Sequence, residues 1–300
     1  MSPSSVMIKL NETKPAPRAA AGPALTAQAL TAGHTEEVLA FLSARPEHTV
    51  VMVGFIRDNG IVSPLNRGTF YGCRNEAGRL VGVALIGHAT LVETESDEAM
   101  AAFASVAREC SRTHVMVGEQ EKIEQFWHHY AKGGRAPRLI CREMLMEQRW
   151  PVEAREAVPG LRLATAGDLE QVMVVQGQMA FEECGVNPLE ADPGGFRARC
   201  LRRIERGRVW VMAGGGRLLF KADVISETPE VIYLEGVYVA PDSRGTGLGL
   251  DCLTQLGRTL LGRARSLCLL VKADRTEAHD FYRRAGYEPR GYYDTIYPAR

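Results

Sequence analysis

The stretch VYVAPDSRGTGLG, Val237 to Gly249, makes a strand turn directly into a helix. A run of β-formers, VIYLEGVYV, stops at Pro241. Three glycines at alternate positions, Gly245, Gly247 and Gly249, then open an apolar-periodic segment from about Leu248 to Leu261. Proline cannot donate to a strand ladder, and glycine admits backbone conformations and close approaches denied to other residues. A strand that feeds a helix through so short a loop belongs to an α/β sheet.

The rest of the chain extends that pattern in both directions. Downstream, SLCLLVK reads as a strand and TEAHDFYRRA as a helix, stopped at Gly286 by a left-handed cap. An aromatic strand finishes the chain. Upstream, LRLA is a strand, Asp168 to Glu183 and about Gly195 to Arg206 are helical, and RVWVMAGGGRLLFKADVIS is a hairpin.

From Ala24 to about Met146 a similar order recurs: ALTAQAL, a helix over HTEEVLAFLSA, VVMVGFI (helix or strand), and a hairpin turning at Asn75–Gly78. The strand ATLVE, a helix from Asp97, the strand THVMVG and the helix EKIEQFWHHYAK follow. The chain therefore reads as a tandem repeat of one mixed α/β unit. The expected division is a flexible leader over 1–23, a first unit over 24–150 and a second over 151–300. After ATLVE the first copy runs through TESDEAMAA with no glycine, so whatever the glycine loop binds, the first half does not bind it in the same way.

A length of 300 residues has room for two ordinary domains. Thirty-six basic residues balance thirty-six acidic ones, which argues against a nucleic-acid or anionic-membrane partner. No apolar stretch is long enough to span a bilayer. The seven cysteines are odd in number and scattered, with no C-x-x-C spacing, so neither a zinc site nor a disulfide framework follows. A reducing, cytoplasmic setting is expected. Self-association as a homodimer is left open.

Three phosphate-binding motifs compete for the loop. A P-loop ends in Gly-Lys-Ser/Thr, whereas this one ends Gly249-Leu250-Asp251. A dinucleotide fingerprint spaces its last glycines by three, whereas here the spacing is two throughout. Arg244-x-x-Gly247-x-Gly249, placed between strand and helix, fits a third: unbonded N–H groups and the helix dipole receive a pyrophosphate, with Arg244 adding charge. A glycine-rich turn that merely joins strand to helix is the plain alternative.

At these residues the chain resembles the GNAT superfamily of acetyl-coenzyme-A-dependent N-acetyltransferases, over about Gly160 to Pro298. EAHDFYRRAGYEP supports the resemblance: Ala278, Tyr282, Gly286 and Tyr287 hold the positions of the superfamily's later helix. GQMAFEECGVNPLE and GYYDTIYP further resemble a bacterial subgroup with a degenerate acetyltransferase-like N-terminal domain. The resemblance implies a tandem of GNAT-like domains and direct attack of an amine, on a small molecule or a peptide, upon the acetyl thioester in a ternary complex. Acetyl-CoA would be the cosubstrate and no metal is implied. Cofactor contacts fall on Val237, Tyr238, Val239, Arg244, Gly245, Thr246, Gly247, Leu248 and Gly249, with the N–H near Val239 as oxyanion donor. Where many relatives place a pantetheine-binding asparagine, this chain has Arg275.

Tyr282 matches the position that protonates the leaving thiolate; a packed helix tyrosine is its alternative. Glu235 is the candidate base, since strand alternation puts it on one face with Tyr233, Val237 and Val239. A carboxylate in an apolar strand is otherwise explained by a salt bridge. Glu182 and Glu183 are weaker candidates. RARCLRRIERGR is expected to be a solvated helix face, His128 and His129 structural, and Arg263 and Arg265 partners of the coenzyme's 3′-phosphate. The rival readings are an acyl-CoA-binding regulatory module without turnover and a site for another nucleotide.

Overall fold

The computed structural model describes residues 25–132, 134–153 and 157–299; the leader expected over 1–23 lies outside them. The first half runs β1 (Ala27–Ala29), α1 (Thr35–Leu42), α2 (Pro46–Asn59), β2 (Gly68–Arg74), β3 (Leu80–Gly87), β4 (Ala89–Thr94), α3 (Asp97–Glu109), β5 (Val115–Glu119), α4 (Gln120–Tyr130) and β6 (Pro137–Gln148). The second runs β7 (Arg162–Leu163), α5 (Leu169–Cys184), α6 (Pro188–Ala191), α7 (Pro193–Glu205), β8 (Val209–Gly214), β9 (Arg217–Glu227), β10 (Val231–Val239), α8 (Leu248–Leu261), β11 (Ser266–Lys272), α9 (Thr276–Arg284) and β12 (Glu288–Pro298). The order of elements is the same in both halves, apart from the extra turn of α6.

Local chemistry accounts for most of these boundaries. VVMVGFI, ambiguous by pattern, is helical: Pro46 supplies a fixed φ at the first position of α2, and Gly60 ends it at φ 82°. Gly286, at φ 90°, ends α9 as expected, with Tyr287 N–H donating to Tyr282 O at 3.0 Å.

Among the described residues the strands form one sheet in the order β1-β2-β3-β4-β5-β12-β6-β11-β10-β9-β8-β7. The last strands of the two halves have changed places. β12, from the end of the chain, pairs with β5 of the first half through Tyr293↔Glu119 to Ile296↔Met116. β6 lies between β12 and β11, so it completes the sheet of the second half.

Pattern reading assigns no strand to β6, and its composition shows why. Both faces carry charge, and each charge has a partner elsewhere in the chain. Arg142 Nε donates to Asp294 Oδ1 at 2.9 Å, Thr295 Oγ1 to Glu143 Oε2 at 2.6 Å, and Arg290 Nε to Glu147 Oε2 at 2.7 Å. All three partners lie on β12, so these pairs tie the exchanged strands to each other.

Helices cover both faces of the second half's sheet. On one, Cys252, Leu253, Leu256 and Leu260 of α8 pack on Phe220, Ala222 and Val224 of β9. On the other, α5 and α7 bury Val172, Met173, Phe196 and Cys200 against β8. The first half reaches across here too. Ser226 Oγ donates to Val50 O at 2.5 Å, and a Cβ on Gly54 would collide with Ser226, so α2 lies directly on β9. Among the described residues no helix is long and apolar enough to cross a membrane.

Candidate active site

The site begins where β10 and β11 part. Their parallel pairing covers only Val231↔Ser266, Ile232↔Leu267 and Tyr233↔Cys268, and beyond it the two strands are no longer paired. On the other side β10 stays on β9, with an irregularity between Glu235↔Asp223 and Tyr238↔Lys221. Gly236 and Val237 together oppose the single residue Ala222 of β9, one residue in excess, and Gly236 takes φ 60°, a left-handed value open to glycine.

The bulge overturns the expected alternation. Tyr233 and Glu235 do share a face, but Val237 and Val239 pack with the α8 core on the other one. Tyr238 turns its ring towards α5 and α7. One inserted residue reverses every later side chain of a strand. Backbone groups switch likewise. Ala240 N–H donates to Leu219 O on β9 at 2.9 Å, so the N–H of Val239 faces away from β9, into the gap left by β11.

The glycine loop closes the end of the gap. Pro241–Ser243 form one 3-10 turn, and Arg244 is extended and donates from Nε to Val239 O at 3.1 Å. Gly245 and Gly247 take φ 75° and 93°. A Cβ on Gly245 would meet nothing within 4 Å, and one on Gly247 only Asp251 Oδ2 at 3.9 Å, so both leave open backbone. Thr246 Oγ1 holds the loop shut by donating to Ser243 O at 2.8 Å. Gly249 differs: its Cβ would stand 2.5 Å from Val239 Cγ2, so this glycine serves helix–strand packing. Leu248, the first residue of α8, packs its side chain on the core. The open cradle of Gly245 and Gly247 at the start of α8 fits a pyrophosphate.

Glu235 is open to solvent although protein surrounds it on all other sides. That burial pushes its carboxyl up to about 7; the Arg203 guanidinium pulls it down, and the Glu183 carboxylate adds to the rise. Glu183 and Glu143 are themselves raised, again chiefly by burial. Glu183 thus joins the site, whereas Glu182 bonds to Gln178 on the outer face of α5.

Tyr282 is half-buried on α9, its ring 5.8 Å from that of Tyr287 in a T-shaped contact. It packs on the same core as Val237, Val239 and Leu248, and burial holds its hydroxyl well above the ordinary phenol range. Arg275 is the N-cap residue of α9, with its N–H donating to Lys272 O at 3.1 Å.

Two expectations change. Arg263 pairs with Glu227 at 2.9 Å beyond the C-terminal end of α8, and Arg265 lies beside it in sequence. The 14 residues of α8 put both roughly 20 Å from the glycine loop, away from any phosphate held there. The arginine run is a solvated face only in part: Arg197 and Arg206 are exposed, but Arg203 donates to Asp223 Oδ2 at 2.5 Å and Arg208 to Asp58 Oδ1 at 2.7 Å. His129 is structural in a specific way, paired with Asp97 at 2.7 Å.

The first half has the corresponding gap, but ion pairs cross it beside a cavity lined by Val92, Glu93, Val117, Glu119, Lys122 and Tyr293. β4 and β5 pair only at Ala89↔Val115 and Thr90↔Met116. Beyond that, Glu93 is held by Arg45 at 3.1 Å and Lys122 at 2.9 Å, and Glu119 by Arg45 at 2.6 Å. Tyr293 of the exchanged β12 enters there and meets His48 Nδ1 at 2.6 Å. The start of α3 is capped by its own Ser96, which accepts from Ala99 N–H at 3.2 Å. Among the described residues no group of three or more His, Cys, Asp and Glu side chains could hold a metal ion.

Comparison with known proteins agrees with this geometry. Residues 205–289 match the family model of the acetyltransferase (GNAT) domain. A sequence comparison with the curated proteins finds no match. Among solved structures, a tandem GNAT protein from the clavulanic acid biosynthesis pathway superposes with TM-score 0.58 at 15% identity, covering 91% of this chain and 97% of its own. A GCN5-related N-acetyltransferase from Sphaerobacter thermophilus gives 0.58 at 15%, covering 92% and 95%. A GNAT-family acetyltransferase from Colwellia psychrerythraea gives 0.57 at 14%, covering 92% and 100%. At these identities the likeness is one of fold, and it extends over both halves. Residues 205–289 thus match a GNAT acetyltransferase domain, within a chain whose fold over both halves is similar to that of a tandem GNAT protein.

Proposed function

We propose that the chain is an acetyl-CoA-dependent N-acetyltransferase whose second unit, 151–300, carries the reaction, while the first, 24–150, is a GNAT-like unit without a cofactor. The observation that carries this reading is the convergence on one strand end of an anion cradle, an inward N–H and a carboxyl raised to about 7.

Each group has a step. Gly245, Gly247 and Arg244 would hold the pyrophosphate of coenzyme A, which supplies the acetyl thioester. Glu235 takes a proton from the acceptor ammonium; a base with a pKa near the working pH is well matched to that task. Its nitrogen then bonds to the acetyl carbon, and the Val239 N–H donates to the oxygen on which charge develops. The carbon–sulfur bond breaks, Tyr282 passes its proton to the thiolate, and the second proton shed by the nitrogen as the amide forms restores the Tyr282 hydroxyl through solvent. Carboxylates at Glu143, Glu183 and Glu235 favour an acceptor that arrives as a cation. All seven cysteines are free, in keeping with a reducing compartment.

The test is a panel of amines with acetyl-CoA, reading released thiol. Turnover with at least one amine, lost in Glu235→Gln, supports the reading. Coenzyme A binding with no thiol released from any amine would replace it with a binding module.

A further inference from the structure

Behind the bulge of β10 lies a buried charge that the chemistry above does not use. Lys221 is wholly inaccessible to water, in the middle of β9 and opposite Tyr238. Its ammonium stands 2.8 Å from Asp223 Oδ1, donates to Gln176 Oε1 of α5 at 2.7 Å, and lies 3.4 Å from the carbonyl oxygen of Gly236. Asp223 is held from its other side by Arg203. Burying an ammonium is costly, and a paired buried charge is often no more stabilising than an apolar residue of the same shape. Bulk stability is therefore a weak reason to find a lysine here.

The contact with Gly236 gives a stronger one. A Cβ on Gly236 would stand 2.8 Å from Lys221 Nζ and 3.1 Å from Gln176 Oε1, so the bulge glycine rests directly against the ammonium and its amide partner. Gly236 is the residue at which β10 leaves its regular register, and three residues later the Val239 N–H faces the gap. An ammonium attracting the Gly236 carbonyl to the α5 face fixes how the next peptides rotate. We infer that Lys221 is a positioning residue: with Gln176 it pins the bulge of β10 so that the backbone donor at Val239 is aimed into the gap before any ligand arrives. Preorganised donors are worth most when they need no reorientation during reaction.

The inference rests on the acetyltransferase reading for its kinetic consequence but not for its structural one, and the experiment separates the two. Lys221→Met keeps length and bulk and removes the ammonium. Amide hydrogen exchange, followed by mass spectrometry without ligand, should quicken at least tenfold in the peptide spanning Glu235–Val239, with α8 and β11 unchanged. With an accepted amine, kcat should fall at least tenfold while KM for acetyl-CoA stays within about threefold. Unchanged exchange at the bulge, or wild-type kcat in a folded variant, overturns the inference. Uniformly faster exchange through the sheet overturns it as well, because Lys221 would then be only a core ion pair. Should Lys221→Met fail to fold, Gln176→Met leaves the ion pair intact and removes the amide that steers it. Local quickening at the bulge and a smaller kcat loss are expected there, and their absence is equally decisive against pinning. A wild-type protein that acetylates no amine, yet shows the local exchange effect, would refute the functional reading alone.

Discussion

Gly249 lies so close to Val239 that a side chain on it would need to occupy the same space as the valine's Cγ2, 2.5 Å from the position of its Cβ. The start of α8 is therefore clamped onto the strand that supplies the inward N–H, and the three glycines of the loop divide into two kinds. Gly249→Ala should destabilise the fold by about 1–3 kcal/mol, the usual cost of overpacking a tight contact. Thermal unfolding without ligand measures it. A stability equal to wild type would mean that helix and strand separate easily, and the clamp would be discarded.

Gly247 faces open space instead, and its substitution should act on ligand binding. Coenzyme A, bound only by the native state, should raise the melting temperature in proportion to log concentration once saturating. Gly247→Trp should abolish that rise by filling the cradle, at a modest stability cost from its φ of 93°. A full shift in the tryptophan variant would place the coenzyme elsewhere.

Much of this was legible in the sequence, for a physical reason. Strands, helices and caps are local, so VIYLEGVYV, SLCLLVK and the segment Leu248–Leu261 coincide with β10, β11 and α8. Two features were not. The exchange of β6 and β12 is decided by pairings such as Arg142 with Asp294 and Thr295 with Glu143, about 150 residues apart in the chain, and charge on both faces hides β6 from any test of alternation. The bulge was signalled by Gly236, a glycine inside a run of β-formers, but which face each later residue takes depends on its pairing with β9. Hence Glu235 was placed correctly beside Tyr233 and wrongly beside Val237 and Val239.

A raised carboxyl has consequences for both rate and stability. Glu235 titrates near 7 in the fold against an ordinary value of 4.5, so the folded state holds its proton more tightly than the unfolded one. Its contribution to stability is therefore full below pH about 4.5 and declines as pH climbs through 7. Glu235→Gln should melt higher than wild type at pH 8 and no higher at pH 4. The rate should show the opposite dependence, with kcat/KM rising through an acid limb near pH 7 as the base ionises. Arg203 is the largest influence holding that value down, against Glu183 and Asp223, so Arg203→Met should move the limb to higher pH. A limb that stays in place would assign it to another group.

The first half has no glycine cradle after β4, and ion pairs cross its gap, which predicts one coenzyme per chain. Arg45, Glu93, Lys122 and Glu119 bridge the parting of β4 and β5, and Ser96 already occupies the Ala99 N–H at the start of α3. Isothermal titration should give a stoichiometry near one, falling to zero in Gly247→Trp. Two sites in the wild type, or one surviving in that variant, would show that the first half binds as well.

Tyr282 offers the most direct test of the chemistry. Its ring lies edge-on to Tyr287 and packs on the core beside Val239, contacts that a phenylalanine keeps. Burial raises the hydroxyl above its ordinary value of 10, so it stays protonated, and able to donate, throughout the working pH range. Positioned acid catalysis is typically worth about a hundred- to ten-thousand-fold, and a thiolate is already a tolerable leaving group, which points to the low end. Tyr282→Phe should therefore lower kcat roughly a hundredfold while the melting temperature and the coenzyme-dependent shift change little. Losses in kcat and kcat/KM of equal size would mark an interaction made only in the transition state. A phenylalanine variant that turns over an accepted amine at the wild-type rate would leave Tyr282 as a packing residue, with solvent protonating the thiolate.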